Sequence, residues 1–259
     1  MNKWLREIVA ELWLPCLVVL FWWFTSRGSQ SLHFPPLSVI LERFGQDWLF
    51  ARFWTDLLPS LRNFGFGLLI GAMIGAAAGT ALGLSRVARH VLPLLEVMRA
   101  IPVIALIPLI IMMLGTSDIE KIAIIAFGSI WPVLLNTTEG VRNIDPTLRD
   151  VGRSLTLDRG SVLFRVILPA ASPQIVAGLR LSVSIALVAT VGSELFASTR
   201  GIGYVILSAT QGWDMPQMWA ALLMLGIVGY ALNGLMTLFE RRALRWHWGR
   251  AAINRAATR

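Results

Sequence analysis

Residues 63–85 read NFGFGLLIGAMIGAAAGTALGLS, 23 positions without a charge between Arg62 and Arg86. As a helix this stretch is about 35 Å long, enough to cross hydrocarbon roughly 30 Å thick. Within it Gly67, Gly71, Gly75, Gly79 and Gly83 recur at every fourth position, with Ala76, Ala77 and Ala78 among them. Small residues at this spacing let helix backbones approach closely where lipid removes the hydrophobic driving force. Each four-residue step turns about 400°, so the stripe drifts by about 40° per step. The expectation is a stripe that winds around its helix and touches more than one neighbour, as bundle packing and as a surface for sliding.

Working outward, uncharged runs at 100–117, 122–138 and 215–239 are each long enough for a span. A fifth span is expected from about Pro173 to Ser198, although it contains Arg180 and Glu194. A first span is expected over Leu12–Thr25, with Trp13, Trp22 and Trp23 as interface anchors. The competing reading of that segment is a signal peptide with Lys3 and Arg6 as its basic start; no A-x-A-like cleavage site follows, which favours a retained span. Composition agrees with a membrane protein. Of 259 residues 56% are hydrophobic and 15% charged, far from the quarter charged of a soluble domain.

The net charge of +8 reads as membrane topology and not as nucleic-acid binding, because the basic residues lie in gaps between apolar runs. With six spans, Arg86, Arg89, Arg142, Arg149, Arg153, Arg159, Arg165, Arg241, Arg242, Arg245 and Arg250 fall on the side of both termini. The other side holds Arg27, Arg43, Arg52 and Arg200, so both ends are expected in the cytoplasm. Leu37, Ile40, Leu41 and Phe44, after Pro35-Pro36, have the spacing of a short amphipathic helix on the outer face.

The polar stretch from Glu139 to Ser172 is expected to project into the cytoplasm. Asp145-Pro146 has the form of a helix start, followed by Leu148, Val151 and Leu155 on one face. Asp158 is placed to cap a second helix carrying Val162, Leu163, Val166 and Ile167, expected to stop before Pro169. The expected product is a helix–turn–helix that shows an apolar ridge, ringed by charge, to a docking partner.

Here the chain resembles permeases of ATP-binding-cassette importers. Their cytoplasmic signature has the form E-A-A, three residues, G, nine residues, I-x-L-P. Asp150-Val151-Gly152 takes the first place, Thr156 the glycine place, and Val166 to Leu168-Pro169 the last. The spacing is intact, with Asp for Glu and Thr for Gly as departures. Arg99-Ala100-Ile101-Pro102-Val103-Ile104-Ala105-Leu106-Ile107-Pro108-Leu109 is similar to the R-x-I-P-x-x-A-x-I-P-L run of the nitrate, taurine and alkanesulfonate branch. Glu194 with Gly201-Ile202-Gly203-Tyr204, and the tail from Glu240-Arg241-Arg242 through Trp246-His247, resemble that branch as well.

The resemblance implies an all-α membrane protein with six transmembrane helices, the type I importer permease fold and cytoplasmic coupling helices. It divides the chain into an N-terminal span with an outer amphipathic segment (1–57), a permease core (58–242) and a basic cytoplasmic tail (243–259). It implies a multi-pass protein of the bacterial inner membrane that moves a small, anionic solute by alternating access. It further implies a second permease copy, two ATP-binding-cassette ATPase subunits that carry ATP and Mg, and an external solute-binding protein. On it, Leu148, Asp150, Val151, Gly152, Leu155, Thr156, Leu168 and Pro169 couple to the ATPases.

Arg99, Pro102, Pro108, Arg180 and Glu194 are the candidate pathway or gate residues. Charges within spans usually face a cavity or a partner, and prolines free backbone carbonyls toward one. The bland alternative for Glu194 is snorkelling to the interface. Neither Lys3 nor Lys121 follows a glycine, so no G-x-x-x-x-G-K-[ST] phosphate loop exists and the chain itself is not expected to be an enzyme. Single Cys16 and the distant His33, His90 and His247 offer no disulfide and no metal set. Gly201-x-Gly203 lacks the third glycine of a dinucleotide fingerprint and reads as a turn. The rival function is a secondary transporter without an ATPase, although the inverted repeats typical of those are not visible.

Overall fold

The computed structural model describes residues 13, 17, 19–29, 31–145, 147–148, 154–155 and 157–246. It divides into two compact units, Met1–Pro59 with Arg200–Gly226 and Ser60–Thr199 with Ile227–Arg259. Among the described residues there are helices and no strands. Residues 19–26 are helical, and the remainder of the expected first span, with Cys16, lies largely outside the described residues.

In the first unit, α1 (Leu37–Gln46) starts at Pro36, as the Pro35-Pro36 pair predicts, and runs into π-type turns over Asp47–Ala51 and Phe53–Leu57. Those turns carry Asp47 and Asp56, both buried, to a shared ionic network. Arg43 Nε and Arg52 Nε lie 3.2 and 3.7 Å from Asp47, and Gln217 Nε2 donates to it at 3.3 Å. Arg52 also reaches Asp56 at 3.4 Å, while the Gly201 backbone N–H donates to Asp56 at 2.9 Å. Gly201 sits at φ 118° in the bend that starts α8 (Ile202–Gln211), whereas Gly203 lies inside that helix and not in a turn.

The second unit is built on α2 (Leu58–Leu84), α3 (Ala88–Arg99), α4 (Val103–Leu114), α5 (Asp118–Arg142), a short α6 (Arg159–Val162) with a π-type turn over Leu163–Ile167, and α7 (Leu168–Ala197). The last helix, α9, is Met215–Ala243. The run at 100–117 is not a single straight span: α3 and α4 meet at a bend of 84°. The cause is Pro102. It has ψ 118° at the start of α4, and a proline drives the residue before it out of the helical region. Three helices are long and apolar enough to cross a membrane, or four if the bent pair counts as one. By that measure the six expected spans are not all present among the described residues.

The atoms nearest to a Cβ built on each of the five glycines of α2 all belong to one helix, α5. A Cβ on Gly67 would meet Ile125, on Gly71 the Ala126 carbonyl, on Gly75 the Ile130 carbonyl, on Gly79 the Leu134 carbonyl and on Gly83 Val141, at 2.5–2.7 Å. The contacted side chains Ile125, Ser129, Val133, Thr137 and Val141 repeat every four residues as well. Two four-residue ridges therefore interlock. The facing residues of α5 advance in step with the glycines, so the stripe stays against this helix along its length. Numbers rise together along both helices, so α2 and α5 are parallel, and α3–α4 must bring the chain back between them.

Thr138 Oγ1 donates to the Gly79 carbonyl at 3.2 Å across this interface. On another side of α5, α7 runs antiparallel. A Cβ on Gly140 would meet Gln174 and one on Gly178 the Pro132 carbonyl, while Ser182 Oγ donates to the Ser129 carbonyl at 2.8 Å. Phe64, Ile107, Ile124, Ile125, Ala186 and Ala189 form the apolar core of this unit.

Candidate functional site

The connection between α5 and α7 starts and ends on aspartates that act as the sequence predicts. Asp145 accepts from the Thr147 N–H at 2.9 Å, and Asp158 accepts from the Ser161 N–H at 3.1 Å. These hydrogen bonds favour the ionised form, so both carboxyls titrate below the ordinary range. Pro146, Arg149, Asp150, Val151, Gly152, Arg153 and Thr156 lie outside the described residues. Leu148 and Leu155 are 40% and 63% exposed.

The second half of that segment departs from expectation. The helix does not stop before Pro169; helix continues from Arg159 to Phe196. A proline ring collides with the carbonyl four residues back, here Arg165, and the wide turn over Leu163–Ile167 makes room for it. Nor do Val162, Leu163 and Ile167 form an outward ridge. They pack with Val141, Ile144 and Ala171, and Phe164 is the exposed apolar residue, at 69%. Leu168 is half-buried and Pro169 exposed, within the first turn of α7.

At the other end of the unit, near the starts of α2 and α5, charges gather that a hydropathy reading scatters. Glu194 is buried, and Ser60 Oγ donates to its Oε1 at 2.5 Å, so it does not snorkel. Arg62 is paired with Asp118, which also accepts from Asn63 Nδ2 at 3.2 Å. Lys121 is buried, with Nζ 2.6 Å from Ser198 Oγ. Glu120 is fully buried, and among the described residues neither of its carboxylate oxygens has a hydrogen-bond partner. Ser117 caps α5 through the Glu120 N–H, but the reciprocal half of that capping box is not made.

At the opposite end, where α2 and α5 finish, a cavity of about 620 Å³ opens between α3, α5 and α7. Glu96 and Arg99 line it from α3, Asn136, Glu139 and Arg142 from α5, and Asn143 from just beyond that helix. Of the two candidate arginines only Arg99 reaches it. Arg180 is held by Glu240, 3.0 Å away. Pro102 lies elsewhere, in an apolar pocket of about 330 Å³ formed with Val103 and Ile104 of α4 and Ile185 and Val188 of α7. Pro108 stands inside α4 and leaves the Ile104 carbonyl without its helical donor. The candidate pathway residues are thus not brought together at one place, and Glu96, Asn136, Glu139, Arg142 and Asn143, which line the cavity with Arg99, were missed. The available signal was Glu-x-x-Arg occurring twice, at 96–99 and 139–142. Among the described residues no cluster fit to hold a metal ion exists.

Comparison with known proteins adds an independent line. The model of the binding-protein-dependent transport system inner membrane component family matches residues 67–245. The putative aliphatic sulfonates transport permease protein SsuC of Bacillus subtilis is 32% identical over 90% of this chain and 86% of its own. The bicarbonate transport system permease protein CmpB of Synechococcus elongatus is 32% identical over 95% and 94%, and the taurine transport system permease protein TauC of Escherichia coli 28% over 93% and 91%. A chain of the inward-facing MetNI methionine ABC transporter superposes with a TM-score of 0.63 at 18% identity, over 73% of this chain and 94% of that one. A chain of an amino acid ABC transporter gives 0.56 at 20% identity over 80% and 96%. The last two establish a shared fold.

Proposed function

The chain belongs to the binding-protein-dependent transport system inner membrane component family, as the match over residues 67–245 shows, and from that membership we propose that it is the permease subunit of an ATP-driven importer in which two copies enclose a path for a small solute. ATP and Mg bind to two partner ATPases, and an external binding protein delivers the solute. The termini and the 143–158 connection face the cytoplasm, in keeping with the bias of arginines toward that side. Curated relatives named for sulfonates, taurine and bicarbonate support a solute with an acidic group.

One observation supports the coupling reading: the 143–158 connection is followed by a helix that runs unbroken from Arg159 to Phe196. In this reading a partner that grips Leu148, the 150–152 triplet, Leu155 and Thr156 pulls on the start of that lever. Tilting it displaces Glu194 and Ser60 at the far end, the gate in this reading, while Leu168 and Pro169 move with the grip. Such rigid-body motion opens one end as it closes the other.

The test is uptake by cells carrying Asp150→Arg or Gly152→Trp. Each is expected to abolish uptake while the permease stays in the membrane at normal abundance and loses its ATPases on purification. Normal uptake by both variants removes the coupling role.

A further inference from the structure

The cavity at the finish of α2 and α5 is lined by four ionisable side chains, two of each sign, so its formal charge sums to zero. They arrive as the same tetrad twice, Glu96-x-x-Arg99 on α3 and Glu139-x-x-Arg142 on α5. Residues three apart share a helix face, and Glu and Arg at that spacing commonly pair. These do not. Among the described residues none of the four is ion-paired, either along its helix or across the cavity. Asn136 and Asn143 add amides on the same wall.

A vestibule built to receive a plain anion would carry cations without carboxylates, because two carboxylates repel the ligand that two guanidinium groups attract. A space lined by both signs, unpaired, is complementary to a solute with an acidic and a cationic group in one small molecule. We propose that this cavity is the inner-side binding site for a small zwitterion of the amino-sulfonate or amino-acid type. Arg99 and Arg142 take its acidic group by charge-assisted, bidentate hydrogen bonds, and Glu96 and Glu139 take its ammonium. The volume of about 620 Å³ lies within the usual range for small-molecule sites. The assignment rests on the transport reading, because it makes this the last stop before release.

The test uses the assembled importer, permease with its ATPases, in lipid nanodiscs without the binding protein. Equilibrium binding is measured for taurine and glycine, which are zwitterions, and for isethionate, a sulfonate without an ammonium. At least one zwitterion is expected to bind about tenfold or more tightly than isethionate, the worth of a hydrogen bond to a charged group. Glu96→Gln with Glu139→Gln should erase that preference without weakening isethionate, and Arg99→Gln with Arg142→Gln should weaken every ligand. The wild-type preference needs no variant, so it stands even if a double variant fails to assemble. Equal binding of all three, absence of zwitterion binding, or a preference that survives the glutamate substitutions overturns the proposal. If zwitterions bind as expected but Asp150→Arg still imports, the site stands and the coupling reading falls.

Discussion

Helix α5 presents two faces that solve opposite problems. One, Ile125 to Val141 at every fourth residue, is pressed against the glycines of α2 so closely that a single added carbon has no room. The other, Asn136, Glu139 and Arg142, opens on a cavity and leaves its charges without ion pairs among the described residues. The same helix is thus a fixed wall on one side and a wet, chargeable wall on the other. Position alone does not decide which glycine matters. Gly65, two residues before the stripe on α2, has nothing within 4 Å of an added Cβ.

The closed face is the easier to break. Gly71→Leu would set a Cβ 2.6 Å from the Ala126 carbonyl and 2.7 Å from the Ser129 Cβ, and neither can retreat without moving helix backbone. A loss of about 3 kcal/mol or more is expected from such overpacking. Thermal unfolding of the purified protein should show it as a large fall in midpoint or no folded yield, with Gly65→Leu close to wild type. Equal effects at the two positions would mean that the interlocked ridges do not hold the bundle.

A smaller effect is expected where a polar group is enclosed within the packed end. Ser60→Ala removes the hydroxyl that donates to the buried Glu194 at 2.5 Å. Losing one partner of a buried carboxylate costs about 1–3 kcal/mol, so the midpoint should drop by less than for Gly71→Leu. Ser60→Thr, which keeps the hydroxyl, should recover part of the loss. An unchanged midpoint in the alanine variant would show that Glu194 is held by its other neighbours.

How much of this was legible follows from the range of each interaction. The glycine repeat was plain because its spacing is local, but its partner was not. Drift along one helix says nothing of how the facing helix crosses it, and only the matching repeat in α5 reveals the interlock. Asp145 and Asp158 were read correctly because capping is decided within three residues. The stop before Pro169 failed for the converse reason, since a π-type turn can absorb a proline ring that an α-helix cannot. The family resemblance held over the core, carried by motifs at 99–109 and 150–169 whose spacing survives substitution. Partners far apart in sequence, such as Arg62 with Asp118 and Arg180 with Glu240, had no local signal at all.

The smallest effect concerns the exposed turn that ends the open face. Asp145 lies two residues beyond Asn143, and its carboxylate closes the turn by accepting from the Thr147 N–H. Its folded value lies below the ordinary 3.8, so the turn gains stability from ionisation above that pH and loses it as pH falls through the lower folded value. Protection of the Thr147 amide from hydrogen exchange, corrected for the intrinsic rate, should therefore stay flat from about pH 8 to 5 and decline only below about 4. The same is expected of Ser161, capped by Asp158, whose carboxyl is lowered by the same kind of bond. Asp145→Asn should abolish the acid decline at Thr147 and leave that at Ser161. A decline between pH 7 and 5 would assign the turn to a group other than this carboxylate, and the open face of α5 would then end on something the aspartate does not control.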